Sequence, residues 1–517
     1  MINKKIFFLG CVLLLSAKIT AQVSNKLREF INNSSFQTCG VQYPKQVKEF
    51  YNYNGFHYYW LTNAGSSNIK LLSNFIQYSP QVGLNKENYQ PALLKIYSNV
   101  FYHPGSEQDS LLAEVKFTDA AIHLIHDVLM GNKAEPLSYN GLNYTPSCND
   151  VTSILNSYIN AGRFKYLMND IESRDPEYLS VKHKLNFYQQ IISGKNFKDA
   201  VVKSSKEMDK PALVKRLYQL GFTDSDTAIL SKAVLVSKVK EAQNLFGLAN
   251  DGIFGSATLR ALNIPLDKRV AELKYTLNAI RWLTCIKQTR RIIVVNIPSA
   301  NLLLYERGKI VLESKIIVGK ESNPTPTLSS KITEVILYPY WNVPNNIATQ
   351  ELLPKIKRDP DYLDENNYQV LNKQARVMNP YEINWQALSR NYFPYVLRQS
   401  TGCDNSLGLI KLNFYNPFTV YLHDTPAKSL FDQNQRYFSH GCMRLQKAVE
   451  VAHYILRDNT IAIDTLTEKG CLKNQSPIIV PATEIIPVFV LYHTAWIDSA
   501  ARVKFYRDVY NKFSALK

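Results

Sequence analysis

Residues 421–426 read YLHDTP, and residues 436–448 read RYFSHGCMRLQKA. Tyr421, Leu422 and His423 have the look of a strand that ends at the histidine and Asp424. In the second stretch a histidine and a cysteine stand two apart, and Gly441 between them lets the backbone turn tightly. The apolar spacing of LQKAVEVAHYIL predicts a helix directly after Cys442. A helix N-terminus there would depress the thiol pKa and offer free N–H groups to an oxyanion. His423, upstream, can then return beside the thiol as a base, oriented by the Asp424 carboxylate or a neighbouring carbonyl. The residues leave four readings of Cys442: nucleophile, zinc ligand with His423 and His440, half of a disulfide, or small buried thiol. No fourth zinc ligand is evident nearby. An inert core thiol explains neither the glycine turn nor the second histidine.

Working outward, the period changes near residue 290. RRIIVVNIPSANLLLYERGKIVLESKIIVGK alternates β-rich runs with turns, and KITEVILYPYWNVP adds a strand with an aromatic end. Residues 345–400 are polar and mixed, with helical character in ATQELLPKIKRD, and read as an insertion. Strand character returns in LGLIKLNF and FTVYLHDT and again in the tail TEIIPVFVLYHTAWIDSAARVKFYRDVY. Cys403, in STGCDN, has no adjacent histidine and reads as a turn residue.

Upstream the chain is helical. LLAEVKFTDAAIHLIHDVLMGN spaces its apolar residues at helical intervals and stops near Gly131. His123 and His126 lie one turn apart there, a spacing that without a third ligand reads as a helix face and not a metal site. Residues 233–265 read helix, turn, helix, with Val239, Ala242, Leu245 and Phe246 as the apolar stripe and Ser256 or Thr258 near the second cap.

The chain has 517 residues, 45% of them apolar, with 23 Pro and 20 Gly. That length exceeds one ordinary core, and the composition excludes a disordered chain. The start, MINKKIFFLGCVLLLSAKITAQ, has a short basic region and an apolar run of about twelve residues, too short to span a membrane. Small residues before Gln22 predict a signal peptide over 1–21 and an exported, periplasmic protein. No later run reaches the ~18 apolar residues of a membrane span. The net charge of +17 suits anionic wall polymers or membrane surfaces better than nucleic acid, which an exported protein rarely meets. The seven cysteines are scattered, so an oxidising compartment allows bridges whose pairing the spacing does not reveal.

The pair His423 and Ser439-His440-Gly441-Cys442, followed by Arg444, resembles the YkuD-type L,D-transpeptidase family. YPYWNVP, RQSTGCDNSLGLIKLNF, VYLHDTP and IPVFVLYHTAWID resemble its large YcbB-like branch, in which Cys403 is a departure. Asp251, Gly252, Gly255 and Thr258 resemble the core of a peptidoglycan-binding module, and FYNYNGFHYYWLTNAG resembles the branch's helical scaffold. The resemblance implies an α+β multidomain chain. Its parts are a scaffold domain over 26–230, a binding module over 231–275 and a mostly-β catalytic domain over 288–517, with a capping insertion over 345–400. It implies Cys442 as nucleophile and His423 as general base. Backbone N–H groups at Gly441 and Cys442 would form the oxyanion hole, and His440 would shape the site. Arg444, Tyr421, Ser439 and Trp341 would hold substrate. The implied substrates are tetrapeptide stems of peptidoglycan, as donor and acceptor, joined in 3–3 cross-links without metal or cofactor. Water or a lipoprotein lysine as acceptor would make it an L,D-carboxypeptidase or an anchoring enzyme. A catalytically idle wall-binding protein is the alternative of another class.

Overall fold

The computed structural model describes residues 22–33, 36, 39–62, 65–90, 105–204, 210–457, 463, 466, 471–473 and 475–513. The expected signal peptide, 1–21, and Cys11 within it lie outside the described residues. The chain forms two compact units, and it is an α+β multidomain protein. No described helix is long and apolar enough to cross a membrane.

The first unit comprises Met1–Ala134, Thr145–Lys198 and Pro265–Cys285. Its helices begin where the sequence supplies caps. Ser106 Oγ accepts from Asp109 N at 3.1 Å to open helix Glu107–Met130, and Asp150 and Asp175 cap Val151–Asn160 and Pro176–Ile192. The apolar faces meet in one core that includes Trp60, Leu72, Val115, Ile122 and Leu155. Glu114 is buried in it and accepts from Tyr59 N at 2.6 Å, Leu61 N at 3.0 Å and the Tyr51 hydroxyl at 3.1 Å. Burial still pushes its carboxyl up to about 6. His123 and His126 both face the buried carboxylate of Asp127, at 3.3 and 3.1 Å. Cys148 and Cys285 form a disulfide.

The second unit comprises Glu135–Tyr144, Asp199–Ile264 and Ile286–Lys517. Three helices, Lys210–Leu220, Lys232–Leu245 and Ser256–Leu262, make its small helical part. Gln243 Oε1 accepts from Gly252 N at 2.8 Å, and Asp251 Oδ1 accepts from Ile253 N at 2.8 Å, so the DG turn is tied to the helix before it. The last helix is capped by Gly255 without a side-chain bond, not by Ser256 or Thr258; the Thr258 hydroxyl faces Gln243 instead.

The remaining elements are strands. The main sheet holds β1 (Tyr139–Asn140), β2 (Ile292–Asn296), β3 (Asn301–Glu306), β4 (Lys309–Gly319) and β5 (Leu328–Leu337). A second sheet is built from β6 (Trp341–Asn342), β7 (Tyr368–Leu371), β8 (Val377–Met378) and β9 (Val396–Gln399). The main sheet resumes with β10 (Ile410–Phe414), β11 (Leu422–His423), β12 (Tyr437–Ser439), β13 (Met443–Leu445) and β14 (Ile478–Leu491). β15 (Ala495–Ile497) and β16 (Val503–Phe505) pair with each other.

The main sheet runs β5-β10-β11-β13-β4-β3-β2-β14, and β14 also pairs with β5, so it closes on itself without the open edges that invite aggregation. Ile293, Val295, Leu302, Leu304, Leu337, Ile410, Leu412, Leu422 and Met443 fill the core it shares with helix Ala448–Leu456. β5 and β10 are antiparallel neighbours, with Leu337 opposite Ile410. The chain between them leaves the main sheet as a separate lobe that begins at β6. It is a four-stranded sheet in the order β6-β9-β7-β8 with short helices, around a core of its own that includes Ile347, Leu352, Ile356, Trp385 and Leu397.

Candidate active site

Strand pleating sorts the side chains. β11 and β13 run parallel, with Leu422 opposite Met443 and His423 opposite Arg444. Leu422 and Met443 enter the core, so the period of two sends Tyr421, His423 and Arg444 to the other face. Lys411 lies opposite His423 on β10 and, between the core residues Ile410 and Leu412, shares that face. Its ammonium sits 4.3 Å from the centre of the Tyr421 ring. Cys442 precedes β13 and lies close enough to Tyr421 for each group to perturb the other's proton affinity.

The approach to Cys442 is fixed by the SHGC turn. Gly441 has φ +115°, a conformation side-chain-bearing residues rarely adopt, although a Cβ there would meet only ordinary contacts at 3.8 Å. Backbone shape, not space, therefore selects the glycine. Its carbonyl accepts from Thr325 Oγ1 at 2.8 Å, and its N–H donates to Ser439 Oγ at 3.2 Å. Ser439, expected to touch substrate, is buried and braces the turn. His440 points away toward the insertion, with Nε2 2.7 Å from Glu351 Oε1.

The helix expected directly after Cys442 is not there. Met443–Leu445 joins the sheet, and the helix starts at Ala448. Sheet pairing with β11 and β4 on both sides takes these residues, and the local charges on Cys442 come from side chains instead. Burial raises the thiol pKa, while hydrogen bonds from Tyr421 and the cations of Lys411 and Arg444 pull it back. The thiol points toward the Thr419 carbonyl, 4.0 Å away. Burial, with Arg444 second, pushes the His423 imidazole down to about 3. Its Nδ1 lies 2.5 Å from the Asp424 carbonyl. A backbone carbonyl thus orients the ring, and the Asp424 carboxylate instead accepts from Leu409 N at 3.0 Å and pairs with Lys428. The resting site holds a neutral thiol and a neutral imidazole. Among the described residues neither Lys411 nor Arg444 has a carboxylate partner within ion-pair distance, so the face presents two cations.

Residues 290–473 match the family model of the L,D-transpeptidase catalytic domain, YkuD. Residues 290–473 are a YkuD-type catalytic domain. Residues 45–185 match a scaffold-domain model, and residues 211–262 match a model described as "Putative peptidoglycan binding domain". A protein of Haemophilus influenzae named "Putative L,D-transpeptidase" is 40% identical over 227 residues, 44% of this chain and 45% of that one. The chain thus covers less than half the length of that relative. Among solved structures, an L,D-transpeptidase from Mycobacterium smegmatis is 14% identical over 39% of this chain and 58% of its own, with a TM-score of 0.18. The L,D-transpeptidase LdtMt1 in complex with imipenem is 15% identical over 39% of this chain and 58% of its own, with a TM-score of 0.19.

The fold sets His423 opposite Arg444 on paired strands, with the Tyr421 ring 5.6 Å from the His423 ring and Cys442 just before β13. It turns His440 toward the insertion and buries Ser439 under the turn. Sequence reading missed Lys411 and Glu351. The signal for Lys411 was present: in LGLIKLNF it is the one charge among strand apolars.

Proposed function

We propose that this protein is an exported cell-wall L,D-transpeptidase in which Cys442 is the nucleophile and peptidoglycan tetrapeptide stems are both donor and acceptor. The observation that carries the reading is the sheet face next to Cys442: one buried imidazole and two cations that, among the described residues, have no carboxylate partner within ion-pair distance. A donor stem has an amide between its diamino acid and a terminal D-alanine, next to that alanine's carboxylate. Arg444 suits that carboxylate, because a guanidinium binds it through two parallel hydrogen bonds. Trp341 lines the approach.

In the reaction, His423 takes the thiol proton as the sulfur attacks the amide carbonyl. The Cys442 N–H, with Gly441 N–H already donated to Ser439, is the donor offered to the developing oxyanion. The C–N bond breaks, the imidazolium returns its proton to the leaving amine, and D-alanine departs from a thioester. A side-chain amine of a second stem then attacks the thioester, the sulfur leaves, and a 3–3 cross-link remains. Burial disfavours each ion separately, so charge separation is confined to the moment when the carbonyl is present to stabilise it. The module matched over 211–262 supports attachment to the polymer.

Incubating disaccharide-tetrapeptide with the protein and weighing the products by mass spectrometry tests this. The expected product is a dimer that has lost one D-alanine, absent with Cys442→Ala, and a carbapenem adds its mass at Cys442. Trimmed monomer alone would make water the acceptor, and unchanged substrate would leave a binding protein. Full cross-linking by the alanine variant overturns the assignment.

A further inference from the structure

Four cysteines among the described residues are outside the Cys148–Cys285 bridge: Cys39, Cys403, Cys442 and Cys471. Two of them, Cys403 and Cys471, are exposed, and the catalytic chemistry uses neither. Their segments lie side by side. Gln475 N donates to Thr401 Oγ1 at 2.9 Å. A Cβ on Gly402 would come within 3.9 Å of the Lys473 side chain. Beyond these contacts stand Cys403 on one segment and Cys471 on the other, near enough for each thiol to influence its neighbour.

Both segments are anchored. Asn405 Nδ2 donates to the Pro339 carbonyl at 3.1 Å and to the Ser400 carbonyl at 2.7 Å, and Leu409 N donates to the carboxylate of Asp424, the neighbour of His423, at 3.0 Å. After Gln475 the chain enters β14, whose Ile478 pairs with Leu337.

We propose that Cys403 and Cys471 join as a disulfide that clamps the loop tied to Asp424, beside His423, to the chain entering β14. The bond forms by exchange with an external disulfide such as oxidised glutathione. One thiolate attacks it, releasing one glutathione thiol and forming a mixed disulfide, and the second thiolate then displaces the other glutathione. The protein pair loses two electrons and two protons, and the oxidant becomes two thiols. The closed loop of about 70 residues contains both His423 and Cys442, a length at which a crosslink strongly restricts the unfolded chain.

The test uses the full-length protein, with its exposed thiols reduced and then treated with oxidised glutathione, blocked with N-ethylmaleimide and digested without reductant. The expected result is a peptide pair joined through Cys403 and Cys471, Cys442 carrying the maleimide, and a Tm about 5 °C or more above that of the reduced form. Cys403→Ser and Cys471→Ser should each abolish the linked peptide and the rise in Tm, leaving the remaining cysteine labelled. Maleimide or glutathione on both Cys403 and Cys471, or either of them joined to Cys442, overturns the proposal. A linked peptide without a rise in Tm overturns the clamp.

Discussion

Lys411→Met should raise the pH at which the Cys442 thiol ionises. The side chain keeps its length and its packing over Tyr421 but loses the cation that favours the thiolate. Lys411 is the larger of the two cationic influences on the thiol, and with Nζ 4.3 Å from the Tyr421 ring centre a charge separation of roughly 6 Å is the working figure. At an effective dielectric of about 20 that is nearly 3 kcal/mol, or close to two pH units. Lys411 is partly exposed, and screening cuts the figure to about one pH unit. The sign is fixed: removing a cation disfavours the anion, so the midpoint moves up and the thiolate fraction below it falls about tenfold. The assay is alkylation by iodoacetamide, read on the Cys442 peptide between pH 6 and 10. Lys411→Arg should preserve the wild-type profile. A midpoint that stays in place or moves down in Lys411→Met would refute the electrostatic role.

Other expectations follow from the same geometry. Gly441→Ala must place a Cβ at φ +115°, a strain of about 1–3 kcal/mol confined to the SHGC turn, so turnover should fall at least about tenfold with little change in circular dichroism. The Glu114 carboxyl binds its proton more tightly folded than unfolded, so its contribution is most favourable below about pH 4.3 and is lost as pH rises through about 6. That loss is about 2 kcal/mol, and Glu114→Gln should remove this part of the pH dependence of the urea midpoint. Breaking the bridge with Cys148→Ser and Cys285→Ser together should destabilise the first unit by about 3–5 kcal/mol, visible as a lower calorimetric Tm.

The sequence was most legible where local pattern and global fold agree. The alternation in LGLIKLNF and FTVYLHDT identified β10 and β11, and the glycine in SHGC marked a turn whose φ requires it. Met443–Leu445 was not legible as a strand, because three residues carry no measurable period; two neighbouring strands create it. Without that pairing the helical pattern beyond it extended back to Cys442. The insertion read as mixed and helical because β6 and β9 meet across nearly its whole length, with Trp341 opposite Gln399. The same distance problem hid the Cys148–Cys285 bridge, whose partners are 137 residues apart. Glu351 had no signal at all, since its meaning depends on His440, which only the fold places beside it.

The junction of β5 and β10 has an evolutionary consequence. Leu337 and Ile410 are paired antiparallel, the position where a hairpin needs only a tight turn. A self-cored lobe occupies that turn, so it can be lengthened, exchanged or pared away over generations without touching one rung of the closed sheet. The lobe can therefore vary while Cys442 and His423 stay where they are. The freedom ends at Glu351, whose carboxylate reaches out of the lobe to His440 of the SHGC turn. A replacement lobe must supply that carboxylate or leave the histidine without it.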